Sequence, residues 1–189
     1  MNRSGLVVAG LRSGVGKTTV TLGVIRALAG TGRHVAAFKV GPDFLDPSHY
    51  SAAGAAYVRN LDSILQTSRG MRENFAGARD CDAVVVEGAM GLFDGPYPGK
   101  TTASTADVAQ RLGLPILLVC DGRSCAQSIA AEILGAQVLL KGHLILGVIL
   151  NFVASPRHAE LLIAGVRRFA KIRDAGCIFR NALPALPSR

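Results

Sequence analysis

Residues 10–18 read Gly-Leu-Arg-Ser-Gly-Val-Gly-Lys-Thr, a pattern of glycines, a lysine and a hydroxyl suited to gripping a polyphosphate. Glycine lets consecutive backbone N–H groups turn inward as an anion nest. A helix opening at Lys17 adds the positive end of its dipole. Lys17 can reach the β- and γ-phosphates, and the Thr18 hydroxyl can hold Mg²⁺. The strict form of this loop places its first glycine where Leu11 stands; Gly10 lies one residue earlier. The expected ligand is ATP with Mg²⁺, bound through Ser13, Gly14, Val15, Gly16, Lys17, Thr18 and Thr19.

Two acidic blocks lie downstream. The first is Lys39-Val40-Gly41-Pro42-Asp43-Phe44-Leu45-Asp46-Pro47. Its carboxylates can serve as hard oxygen ligands or as polar anchors of a turn, and aspartate beside proline is also common in ordinary loops. The second is Val84-Val85-Val86-Glu87, running on through two glycines to Asp94. A carboxylate closing an apolar strand is the arrangement that binds Mg²⁺ beside a phosphate loop. Glu87 is therefore expected to bind the cation, directly or through water, with Asp94 in reach.

Alternating apolar runs and helical stretches must position these groups. Strands are expected at 6–10, 35–40, 83–87, 115–121, 144–151 and 177–179. Helices are expected at 17–29, 71–78, 105–112, 126–140 and 156–171. Ser104 or Thr105 suits the cap of the third of these helices, and Pro156 the first turn of the last. A polar loop with two prolines is expected after the second strand. Strands alternating with helices of this length predict an α/β fold: three layers, a mostly parallel central sheet, helices on both faces. The length of 189 residues suits about one domain. With 49% hydrophobic residues and no Trp, its core is built from Ala, Val, Leu and Ile. No apolar run is long enough to span a bilayer, and no signal segment precedes the first strand. A cytoplasmic protein is expected.

The formal net charge is +8. Residues 157–189 hold seven Lys/Arg against two acidic residues. A solvated helix face, a polyanionic substrate or an acidic neighbouring domain would each account for this excess. Nucleic acid is not expected, since no Lys-rich run is interleaved with aromatics. Cys81, Cys120, Cys125 and Cys177 form no C-x-x-C pair and no zinc spacing.

Taken together, these blocks resemble the cobyrinic and hydrogenobyrinic acid a,c-diamide synthases, ligases of the dethiobiotin synthetase-like P-loop type. Ser13–Thr19, Phe38–Pro47, Arg59-Asn60-Leu61-Asp62, Val86–Gly95, Ser104–Ala109 and Gly147–Asn151 carry the resemblance. It implies that ATP phosphorylates the a and c side-chain carboxylates of a corrin ring and that ammonia displaces the phosphate. Lys17 and Thr18 would then serve the phosphates and Mg²⁺. Asp46 and Glu87 become cation-binding or active-site carboxylates, Asp43 and Asp94 position the substrate or its acyl phosphate, and Asn151 meets the nucleotide base. Phe152 stands where such proteins are expected to carry arginine.

The resemblance also implies a second, glutaminase domain that supplies ammonia. Residues 1–181 are expected to form the ATP-binding amidoligase domain and 182–189 the start of a linker to that absent domain. None of the four cysteines sits in a nucleophile context, so free ammonia is the expected donor. The expected partner is a corrinoid polycarboxylate, with no membrane and a homodimer left open. Two other readings stay open: a partitioning-type P-loop ATPase, whose loop has lysine near the place of Arg12, and a non-catalytic nucleotide-binding module.

Overall fold

The computed structural model describes residues 4–43, 45–172 and 175–182. Seven parallel strands form one sheet: β1 (Ser4–Gly10), β2 (Val35–Val40), β3 (Ala55–Leu61), β4 (Ala83–Glu87), β5 (Ile116–Asp121), β6 (Ile145–Val153) and β7 (Ala175–Phe179). Their spatial order is β3-β2-β4-β1-β5-β6-β7. Six helices connect them: α1 (Lys17–Gly30), α2 (Asp46–Ala53), α3 (Ser68–Ala76), α4 (Thr105–Leu112), α5 (Ile129–Leu139) and α6 (Pro156–Gly165). A π-helical turn, Val166–Ala170, extends α6.

Residues pointing alternately to the two sheet faces explain the three layers. Val7 and Ala9 enter a core shared with Ile116, Leu118, Ile133 and Leu162. Val8, between them, faces Val20, Ile25 and Val85 on the other side. Central strands buried on both faces are apolar throughout, as Val84–Val86 shows.

The segment expected as a polar loop is corrected by the structure: it contains α2 and β3, so the Glu87 strand is fourth in chain order. The helix carries little apolar periodicity and the strand lies at a sheet edge, half-buried, so neither shows a clean hydrophobic period. Elsewhere the differences are at the ends. α5 starts at Ile129 and α6 stops at Gly165. Ser104 and Ser155 cap α4 and α6, accepting from the N–H of Asp107 and His158. Most of the expected linker, 183–189, lies outside the described residues.

Thr21 in α1 is fully buried, and its hydroxyl has no hydrogen-bond partner among the described residues. A buried, unbonded hydroxyl costs about 1 kcal/mol or more. Thr21→Val keeps the shape and removes that cost. It is expected to raise the melting temperature by about 2–4 °C for a chain of this size, measured by calorimetry. A lower melting temperature would show that the hydroxyl is satisfied in solution.

Candidate active site

The sheet's C-terminal edge gathers the site, where ligands bind in open α/β folds. β1 lies between β4 and β5, so the loop after it sits at mid-sheet. That loop turns through two left-handed glycines, Gly14 at φ 76° and Gly16 at φ 95°. Gly16 admits no side chain: a Cβ there would collide with the Asn151 amide. Asn151 in turn donates from Nδ2 to the Val15 carbonyl at 2.9 Å, tying the end of β6 to the loop.

Lys17 is the first residue of α1 and is largely buried. Its Nζ donates to the carbonyls of Met90 at 2.6 Å and Arg12 at 3.1 Å. Burial, and then the nearby charge of Lys39, push its pKa down. The ammonium is thus held by neutral carbonyls, which a phosphate oxygen would outbid. A nest of glycine N–H groups with a helix N-terminus and this ammonium fits a polyphosphate.

Beside the loop, three buried charges meet. β2 and β4 pair so that Lys39 lies opposite Glu87. The Lys39 ammonium contacts Glu87 Oε1 at 2.8 Å and Asp46 Oδ2 at 2.6 Å. Glu87 Oε1 also accepts from the Thr18 hydroxyl at 2.6 Å, and Glu87 Oε2 from the Tyr50 hydroxyl at 2.7 Å. Burying such groups requires partners of this kind, and the Glu87 oxygens and Asp46 Oδ2 each have one. Burial and the Glu87 charge push the Tyr50 phenol far above its ordinary pKa, so it stays a donor.

These groups open onto a cleft of about 720 Å³. Ser13, Gly14, Lys17 and Thr18 of the phosphate loop and Lys39, Asp43, Asp46 and Glu87 are all among its lining. No three His, Cys, Asp or Glu side chains among the described residues converge on a common cation position. Thr18 with one or two carboxylates suits a cation that takes its remaining ligands from phosphate oxygens and water, as Mg²⁺ does.

The CobQ/CobB/MinD/ParA nucleotide binding domain matches residues 6–187. The chain belongs to that family. Among curated proteins it is 41% identical over 187 residues to the cobyrinate a,c-diamide synthase of Streptococcus sanguinis, covering 97% of this chain and 41% of that protein. It is also 41% identical over 187 residues to the hydrogenobyrinate a,c-diamide synthase of Rhodobacter capsulatus, covering 98% of this chain and 43% of that protein. The chain therefore spans about two fifths of the length of these relatives. Chloroplast FtsY of Physcomitrella patens has the same fold at a TM-score of 0.64 and 17% identity, over 92% of this chain and 58% of that one. So does a nucleotide-binding protein of Archaeoglobus fulgidus solved with ADP, at 0.56 and 15%, over 95% and 82%. At such identities the likeness is one of fold.

Within this family member, the expected site residues fall into two groups. Ser13, Gly14, Lys17, Thr18, Asp43, Asp46 and Glu87 share the cleft. Val15, Gly16, Thr19, Asn151 and Asp94 are not among its lining. Val15, Gly16 and Asn151 build the loop from behind. Asp94 accepts from the Gly91 N–H at 2.8 Å, bracing the turn after Glu87. Asp43 accepts from the N–H groups of Leu45 and Asp46 at the start of α2, at 3.0 and 3.4 Å.

Several supports escaped the sequence reading. Tyr50 was hidden in the unrecognised α2. Asn60, at the end of β3, donates to the carbonyls of Gly41 and Asp43 at 2.9 and 2.7 Å and so holds the acidic loop. The Thr105 hydroxyl exchanges hydrogen bonds with the Ala89 N–H and carbonyl, both at 3.1 Å. Gly88 permits that contact, since a Cβ there would come within 2.5 Å of Thr105 Cγ2. The motif blocks 59–62 and 104–109 carried these residues, but nothing in them named their partners.

Proposed function

We propose that this chain performs the ATP-dependent half of corrinoid a,c-diamide synthesis, with free ammonia able to serve as the nitrogen donor. The observation that carries this reading is the shared cleft, in which a phosphate loop faces a buried Lys39–Asp46–Glu87 cluster. The names of the two relatives given above supply the substrate class, cobyrinate or hydrogenobyrinate.

In this reading, Lys17 and the loop N–H groups hold the ATP phosphates. Thr18, Glu87 and Asp46 would hold Mg²⁺, which neutralises phosphate charge when bound. A side-chain carboxylate of the corrinoid attacks the γ-phosphorus as the bond to ADP breaks. Ammonia then adds to the acyl carbon, phosphate leaves with the bonding pair, and a proton is lost to give the amide. Lys39 adds a second cation beside the transferred phosphoryl group, and Asp43 and Asp94 position the arriving substrate or its acyl phosphate. This is catalysis by placement and charge, with no protein nucleophile. Exposed Leu45 and Met90 at the cleft rim offer an apolar shelf to a macrocycle.

Three of the four cysteines do not suit the role of glutaminase nucleophile. Burial pushes the Cys120 thiol up to about 12 and raises those of Cys125 and Cys177. A glutaminase nucleophile needs the opposite shift. The proposed ATP-binding unit spans residues 1–181.

The test is ADP release and amide formation by the purified chain with ammonia, MgATP and either corrinoid. Turnover is expected only with corrinoid and ammonia together. Turnover driven by DNA or lipid, nucleotide binding without turnover, or glutamate release from glutamine would each overturn part of this reading.

A further inference from the structure

Tyr50 is a fully buried polar residue that touches the candidate site without lining its cleft. Its ring packs in the core under β2 and β4 with Val20, Ile25, Ala37 and Val85. Its hydroxyl reaches Glu87 Oε2 at 2.7 Å. Asp46 stands four residues earlier on the same helix, so α2 presents both polar tips from one face. One tip takes the Lys39 ammonium and the other holds Glu87.

Glu87 Oε1 already receives Lys39 and Thr18. The phenol donates to the other oxygen. With both oxygens engaged, rotation of the carboxylate would break at least one of these bonds. Oε1 then stays toward Thr18, at the head of the phosphate-loop helix.

We propose that Tyr50 is a positioning residue: it pins Glu87 Oε2 and thereby sets the affinity of the Thr18–Glu87 end of the site for the nucleotide-bound divalent cation. This rests on the assignment of Thr18 and Glu87 to the cation. It does not depend on which carboxylate is amidated. Partners that orient a cation ligand commonly carry about tenfold or more of its affinity.

The probe is Mn²⁺ with ADP, which needs no corrinoid; free Mn²⁺ is followed by electron paramagnetic resonance. Tyr50→Phe keeps the ring in the core and removes only the hydroxyl. It is expected to weaken Mn²⁺ binding to the ADP complex about tenfold and to leave metal-free ADP affinity unchanged. In a Glu87→Gln background the same change is expected to alter Mn²⁺ affinity by less than about twofold, because the group it positions is already altered. In the amidation assay the KM for Mg²⁺ should rise while the KM for corrinoid stays constant. A Tyr50→Phe protein that melts lower yet binds Mn²⁺ like the parent would show a merely structural role and overturn the proposal. So would effects of the two substitutions that simply add. If amidation fails while the Mn²⁺ results hold, the substrate assignment falls and Tyr50 keeps its role.

Discussion

Lys17→Ala is expected to weaken binding of ATP and ADP by about 100-fold or more, measured by calorimetric titration. Hydrogen bonds to a charged partner contribute about 1.5–3 kcal/mol each, and each 1.4 kcal/mol is about tenfold. Among the described residues, the Lys17 ammonium bonds to two carbonyls and to no carboxylate. It is thus ready for a phosphate without first breaking an ion pair. The fold should survive, because the loop is shaped by Gly14, Gly16 and the Asn151–Val15 contact rather than by the ammonium. Removing a buried cation also leaves no acid without its direct partner, since Glu87 and Asp46 keep Lys39. Unchanged nucleotide affinity in a folded Lys17→Ala protein would sink the phosphate assignment.

Glu87→Gln separates charge from shape. The amide can keep an oxygen toward Thr18 and Lys39 and turn its NH₂ toward the Tyr50 oxygen, which can accept. Lys39 retains Asp46 as a charged partner. A folded protein is expected, with a melting temperature within a few degrees of the parent. Its ammonia-dependent turnover at saturating MgATP is expected to fall about 100-fold, because the carboxylate proposed to hold the cation, which also accepts from Thr18, is gone. Activity equal to the parent's would remove Glu87 from the cation site and leave it a purely structural partner of Lys39. Loss of folding instead would show that the Lys39 cluster is needed to close β2 on β4.

The two substitutions test two parts of one cleft, and the parts differed in how easily they could be read. Residues 10–18 are contiguous, so glycines, lysine and hydroxyl announce their chemistry without any tertiary knowledge. Glu87 was visible because it ends an unbroken apolar strand. Ser104 was visible because a capping side chain acts within three residues of itself. Tyr50 and Asn60 were not, because each acts on a group from a distant part of the chain. The paired β2 and β4 ends bring Lys39 to Glu87, and the β2–β3 pairing brings Asn60 to the acidic loop. α2 was missed because its eight residues bury only Asp46 and Tyr50, too few for a helical period to appear.

Asp94 and Asn151 teach a related point. Asn151 stands near the end of β6 and Asp94 in the loop after β4, at the sheet edge where ligands bind, and both are polar. In the structure Asp94 holds the Gly91 N–H and Asn151 the Val15 carbonyl. Sequence position put them near the site; only packing shows which backbone groups they hold.

Sequence alone thus determined the layered α/β fold, through strand and helix periods, and the phosphate loop, through residues adjacent in the chain. The tertiary structure decided which carboxylates meet Lys39, which side chains hold them, and which backbone groups Asp94 and Asn151 bond to. Those are relations between separate strands, and their register is set by the burial of whole sheet faces rather than by any local residue preference.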